Sequence, residues 1–279
     1  MATLLARPQA PWALRLVPPF PSIAQRVINL VSREDVPMTE VGALVKMDPS
    51  FSAELLRFAN SALLGARQEV KSIPQALMMV GAERVKTMAV MVVMNRMVRS
   101  ALRLEALKKV WIHSLATAII AEEVARAYRI PKDNAYTLGL LHNLGSLGMM
   151  SAYPDEYSRM LEVSNDFGFD LLKTEHDLFE IDHCAAGAYL AQDWDFPDEL
   201  AAAIAAHHEL PAVGNHDYYN LIRVSWRLAD VMGYTAFSPE RVWTFDELME
   251  YVPATSGWLS ETFEDAVDEL KKRLAAAPL

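Results

Sequence analysis

The chain has 279 residues, enough for one large domain or two modest ones sharing a core. Acidic side chains outnumber basic ones, leaving a formal charge of −10 with histidine neutral. Such a surface repels phosphate backbones and argues against nucleic acid as a partner. No apolar run approaches the roughly 18–20 residues of a membrane span; the longest, Met88 to Met94, runs into Asn95 and Arg96. Met1 to Val17 lacks the charged start, apolar stretch and cleavage site of a signal peptide.

Apolar residues recur with a 3.6-residue period and nothing alternates in twos for long, so the expected class is all-α. Met1 to Pro21 holds Pro8, Pro11, Pro18, Pro19 and Pro21 and reads as an extended leader. Ser22 opens a helix, with Gln25 placed for a capping box and Ile23, Val27, Leu30 and Val31 on one side. A short helix over Glu40 to Met47 follows. Asp48 and Pro49 then start a helix that buries Phe51, Leu55, Phe58, Ala59 and Ala62 and ends near Gly65. Ser72-Ile73-Pro74-Gln75 repeats that start signal, and Gly81 reads as a stop or tight corner. Ala82 to Leu102 is one long apolar helix whose Met88, Met91, Met94 and Met97 read as core.

The second half reads the same way. Helices are expected over Leu104 to Tyr128, Asn134 to Ala152 and Leu171 to Phe179. Others run from an Asp182 cap through Gln192, from Pro197 to His208, and from His216 to Met232 with a stop at Gly233. Thr244 and Glu247 form a capping box, and Thr255 to Ala277 is a C-terminal amphipathic helix. A soft boundary falls near Ser100 to Glu105. Arg99, Arg103, Lys108 and Lys109 around it read as solvated helix faces and ends.

One cysteine, Cys184, forbids an internal disulfide and fits a reducing, cytoplasmic setting. With no second thiol, and pointing away from His183 around its helix, it reads as a small core residue. The histidines carry more. His113, His142, His183 and His207 lie in apolar surroundings, where an imidazole needs a partner. His208 adjoins His207, and Asp230 brings a carboxylate on an equally apolar helix. His176 and His216 have no evident partner and read as surface residues.

Order and context resemble the HD superfamily, in which a histidine, a His-Asp doublet, later histidines and a final aspartate follow one another. The closer resemblance is to the HDOD family, a degenerate HD-related output domain of bacterial signalling proteins. Its N-terminal half is similar to Pro18-Pro19-Phe20-Pro21, Lys46-Met47-Asp48-Pro49, Arg57-Phe58-Ala59-Asn60-Ser61, Ser72-Ile73-Pro74-Gln75 and Val80-Gly81-Ala82-Glu83-Arg84. Its C-terminal half is similar to Leu140-Leu141-His142-Asn143-Leu144-Gly145, Asp182-His183-Cys184-Ala185-Ala186-Gly187 and Ala206-His207-His208. The resemblance implies an extended leader over 1–17, an N-terminal helical part over 18–102, an HD-like core over 103–235 and a helical extension over 236–279.

In catalytic HD enzymes the positions matching His113, His142, Asn143 and Asp230 hold a divalent metal. In two-metal relatives, histidines matching His183 and His207 or His208 bind a second ion. The metal there makes a hydroxide nucleophile and neutralises phosphoryl charge. This chain departs at Asn143, whose amide oxygen is a neutral, weaker donor that cannot bridge two cations. Asp230 is then the one anionic ligand expected, since capping and solvation explain Asp177 and Asp182. The preferred reading is a polar network in the core with Asn143 bridging histidines, and neither a catalytic residue nor a cofactor. A single divalent ion on His113, His142 and Asp230 is the lesser one. The expected function is a non-catalytic signalling module that binds a protein partner or small ligand. The alternative is a metal-dependent phosphohydrolase with an altered site.

Overall fold

The structure, a computed structural model, describes residues 10–31, 36–60, 69–238, 241–253, 257–260 and 262–277. Every regular element among them is helical. The first five helices are α1 (Ser22–Val31), α2 (Met38–Lys46), α3 (Pro49–Ala59), α4 (Ile73–Val80) and α5 (Ala82–Val98). Asp48 caps α3 by accepting from the Ser50 and Phe51 amides at 2.9 and 3.0 Å, with Pro49 as first helical residue. Ser72 accepts from the Gln75 amide to start α4, and Gly81, at φ 79°, turns the chain directly into α5. Met88, Met91, Met94 and Met97 are all buried, as core residues of α5.

Next come α6 (Glu105–Val124), α7 (Lys132–Leu141), α8 (Leu144–Ala152), α9 (Pro154–Phe167) and α10 (Leu171–Phe179). The order continues with α11 (His183–Asp193), α12 (Asp198–Ala205), α13 (Tyr218–Ala229), α14 (Phe245–Met249) and α15 (Phe263–Ala276). Helix α6 is the axis, covered by α7 and α13 and touched by α9 and α15. Helix α8 packs on α11, and α11 on α12. Helix α5 joins the first part to the second by packing on α1 at one side and on α7 and α8 at the other. Among the described residues no helix is long and apolar enough to cross a membrane. Arg99, Arg103, Lys108 and Lys109 are exposed, as expected.

Several boundaries differ from expectation. Asn134 to Ala152 is two helices, broken at His142 and Asn143. On one side Gly139 lets α7 meet the backbone of Ala118 in α6; on the other Gly145 lets α8 meet the backbone of α11. One straight helix cannot make both approaches, so the chain kinks between them. Helix α9 was not expected, although Pro154 at its start, Asp155 and Glu156 in its first turn and left-handed Gly168 at its end are ordinary signals. Helix α5 stops at Val98, α6 passes into turns after Val124, α12 stops at Ala205, and α13 ends at Ala229 in a wide turn over Asp230–Tyr234. No Ser22–Gln25 box forms: the Gln25 amide donates to Pro21 and its side chain to Asn29. The Thr244–Glu247 box does form. Thr262 caps α15, while Ala62, Gly65 and Thr255 lie outside the described residues.

The leader, where described, is not simply extended. Trp12–Leu14 makes a 3-10 turn that buries Ala13 and Leu14. Trp12 packs on Tyr153 and Phe179, and Phe20 on Trp194 and Phe196, with ring centroids 5.1–5.8 Å apart. The prolines forbid a long helix but leave three apolar residues after Pro11 to dock on the second half. Burying a side chain the size of Leu14 contributes about 1.5–3 kcal/mol.

Candidate functional site

Four elements deliver the histidines to one place. His113 sits mid-way along α6, His142 at the α7–α8 break, His183 at the first position of α11, and His207 and His208 in the turn after α12. Asp230 stands at the end of α13. His113, His142, Asn143, His183 and His207 are all at most 1% exposed, and His208 is half-buried. Ring centroids step through the group: His113 to His142 5.3 Å, His142 to His207 5.2 Å, His207 to His183 5.2 Å and His183 to His208 4.9 Å. A backbone contact sets this spacing. A Cβ on Gly145 would lie 2.0 Å from the His183 carbonyl oxygen and 2.6 Å from the Gly187 nitrogen, so only glycine lets α8 reach α11 here.

The ring nitrogens divide into anchors and free ends. His142 Nδ1 donates to the Gly139 carbonyl at 2.7 Å, His207 Nδ1 to the Ile204 carbonyl at 2.6 Å, and His183 Nδ1 to Glu175 Oε2 at 2.7 Å. Carbonyls and carboxylates only accept, so each Nδ1 carries the proton and each neutral ring keeps its lone pair on Nε2. Those Nε2 atoms converge. His183 Nε2 lies 3.3 Å from His207 Nε2 and 3.1 Å from His208 Nε2, while buried His142 Nε2 has no partner. Lone pairs aimed at one another repel unless a proton or a cation sits between them.

His113 and Asp230 form the other half, with Nε2 and Oδ1 3.1 Å apart but too misaligned for a hydrogen bond. The Asn143 amide nitrogen is 3.4 Å from His113 Nδ1, and its buried oxygen has no partner. Asn143 thus touches one histidine, not the several expected of a bridging amide. Among the described residues the donor atoms that crowd within 4.8 Å of one another belong to His183, Cys184, His207 and His208, not to His113, His142 and Asp230. Cys184, expected to point away from His183 and to be a small core residue, turns toward the cluster: its Sγ is 3.8 Å from His207 Nδ1. That is the ring's anchored edge, and the sulfur is one of the four donor atoms that lie within 4.8 Å of one another.

Electrostatics separate the imidazoles. Burial, then the neighbouring His207 and His113, hold His142 well below its ordinary pKa. Burial, His208 and His183 do the same to His207, and burial with His183 and Arg227 pushes His208 down to about 2. Burial also opposes charge on His183, but the Glu175 carboxylate and the Cys184 sulfur outweigh it and hold that imidazole well above its ordinary value. Without a metal these opposite directions favour a proton on His183 over one on His207 or His208.

Two sets of supporting residues escaped the sequence reading. Glu175 is fully buried and takes both the backbone amide and Nδ1 of His183, at 2.8 and 2.7 Å, and the Tyr157 hydroxyl at 2.5 Å. Its signal was a glutamate spaced four residues from Leu171 and from Phe179, on the face that α10 buries. From α13, Arg223, Trp226 and Arg227 donate to the carbonyls of Ala206, His207 and His208 at 3.1, 2.7 and 2.8 Å. These carbonyls lie beyond the end of α12, where only that of Ala206 also takes a backbone amide, from Glu209, so α13 caps the turn. Each donor needs a tertiary neighbour that no local pattern reveals. His176 and His216 are exposed, as expected.

One cavity adjoins the site and a second lies next to the first. One of about 330 Å³ opens on His208 and Asp230 between Trp226, Arg227, Phe237 and Arg241. Another of about 1070 Å³ runs between α9 and α10 over Trp12, Tyr153, Val163, Phe169, Leu178 and Phe179. The two share Gly168, Phe169 and Asp170.

A helical core with histidines in this order, closed by an aspartate, is of HD type. Residues 17–210 match the HDOD domain, and the chain belongs to that family. It is 27% identical over 197 residues to an uncharacterized protein of Treponema pallidum (strain Nichols), covering 70% of this chain but only 38% of that one. An HDOD domain protein of unknown function from Geobacter sulfurreducens superposes with a TM-score of 0.70 at 22% identity, over 92% of each chain. A Shewanella amazonensis protein provisionally named a phosphohydrolase gives 0.66 at 24% identity, over 91% of this chain and 90% of that one. A Marinobacter aquaeolei protein provisionally named a signal transduction protein gives 0.67 at 24% identity, over 93% of this chain and 58% of that one. At these identities the structures share the fold.

Proposed function

We propose that this chain is a regulatory HDOD module that binds a protein partner and performs no phosphate hydrolysis. The observation that carries the reading is Asn143. Among the described residues two carboxylates pair with the buried histidines. Glu175 lies behind His183 on its Nδ1 side, which leaves Asp230, 3.1 Å from His113 Nε2, as the one carboxylate beside a free Nε2. Two divalent ions would bring four positive charges to one facing anion and the nearby Arg227 guanidinium. The residues do fit one ion. Nε2 of His183, His207 and His208 converge with their far nitrogens or carbonyls already bonded, and the His142 ring stands 5.2 Å from that of His207. An ion held there would supply Lewis acidity and tie α11 to the turn after α12. Neutral imidazoles favour zinc, nickel or cobalt over magnesium or calcium. The large groove between α9 and α10, with Val163, Phe167, Phe169 and Leu178 exposed along α9, its loop and α10, supports a protein partner.

The cavity over His208 and Asp230, flanked by Arg227 and Arg241, favours a second reading in which a phosphoryl group enters and is cleaved. Purified protein loaded with zinc or manganese and given p-nitrophenyl phosphate, nucleotides or cyclic dinucleotides separates the two. No turnover above the metal-free control is expected. Metal-dependent turnover abolished by His142→Ala overturns the regulatory reading.

A further inference from the structure

Resting on the reading that the Nε2 cluster holds one divalent ion, we propose that Glu175 is the positioning residue for it. Its carboxylate fixes the ring of His183 and supplies, through that imidazole, the negative charge that the amide of Asn143 withholds. Glu175 is a completely buried carboxylate, and its one cationic partner among the described ion pairs is His183. Oε2 grips His183 twice, at the backbone amide and at Nδ1, so peptide and ring are set together. Oε1 is held in turn by the Tyr157 hydroxyl from α9. A ring so gripped cannot rotate its Nε2 away from His207 and His208, 3.3 and 3.1 Å off. A carboxylate on the far nitrogen of a ligating histidine also makes that ligand a better electron donor. The charge lost at Asn143, on one side of the cluster, is thus replaced from behind His183 on the other.

A bland role competes with this one. Glu175 accepts from the first amide of α11, as a helix cap does, and a cap needs an oxygen but no charge. Glu175→Gln separates the roles, because its amide oxygen still accepts from that backbone. Zinc and cobalt affinities of the full chain are measured by competition with a chromophoric chelator, alongside metal-free melting. The proposal expects Glu175→Gln to bind both metals roughly 10–100-fold more weakly, with an altered visible spectrum for cobalt and helix content unchanged. Equal affinities and identical spectra in the two proteins overturn it and leave the cap. If wild-type protein retains neither metal, the reading of the cluster as a metal site fails and the proposal falls with it. Should Glu175→Gln not fold, the wild type decides. In ¹H–¹⁵N spectra of zinc-loaded protein, His183 must show a protonated Nδ1 and a metal-bound Nε2; the reverse assignment ends the proposal.

Discussion

Replacing Gly145 by alanine tests how the site is spaced. The added Cβ would stand 2.0 Å from the His183 oxygen, 2.6 Å from the Gly187 nitrogen and 2.8 Å from the His183 carbonyl carbon. All three are backbone atoms, so no side chain can swing aside. Real Cβ contacts below 3.0 Å essentially do not occur, which forces α8 and α11 apart by about 1 Å. Overpacking of this kind costs about 3 kcal/mol, the upper end of its usual range, because both surfaces are rigid. For a domain of this size that lowers Tm by roughly 6–12 °C. The control is Gly148→Ala, whose Cβ meets side chains only: the end of the flexible Leu190 side chain at 2.6 Å, and Val17 and Leu14 at 3.6 and 3.8 Å; it should cost about 1 kcal/mol. Thermal melts followed by circular dichroism compare the two. The Gly145 variant should also lose zinc affinity, since His183 rides on α11. A melt within about 2 °C of wild type, smaller than even 1 kcal/mol would produce, refutes the idea that this backbone contact spaces the donors.

Asn143→Asp places a carboxylate at a position 1% exposed, beside His113 and near Asp230. Metal-free, the variant should melt below wild type, because the new charge is buried among groups that do not neutralise it. Manganese or zinc should then raise its Tm more than it raises that of wild type; equal shifts in differential scanning would show that position 143 does not face the ion. For metal-free protein, the lowered pKa values of His142, His207 and His208 set a pH dependence. The unfolded chain takes up protons on these three below about pH 6.5 while the folded one does not. Their stabilisation is complete above that pH and is lost as pH falls, by up to about 1.4 kcal/mol per pH unit for each. His183, raised instead, offsets part of this. The urea midpoint should drop between pH 7 and pH 5, and a flat profile would contradict the neutral assignments.

Much of the fold was legible because capping is local. Asp48-Pro49, Ser72, Asp182 and Thr244-Glu247 each announced a helix start that the structure contains. The convergence of His113, His142, His183, His207, His208 and Asp230 was legible through resemblance and apolar context. The break at His142 was not, because it follows from two close approaches of distant helices at Gly139 and Gly145. Nor was Glu175, whose partner lies eight residues away across a turn. The place of Cys184 was not legible, because the spacing along one helix says nothing of a neighbour such as His207 that arrives from another element.

The three carbonyls gripped by Arg223, Trp226 and Arg227 divide the donors into two jaws. His207, His208 and Asp230 are mounted on α13 or fastened to it, whereas His113, His142 and His183 belong to α6, the α7–α8 kink and α11. Any roll of α13 about its own axis would carry one jaw bodily past the other, opening or shutting the gap between them without bending either.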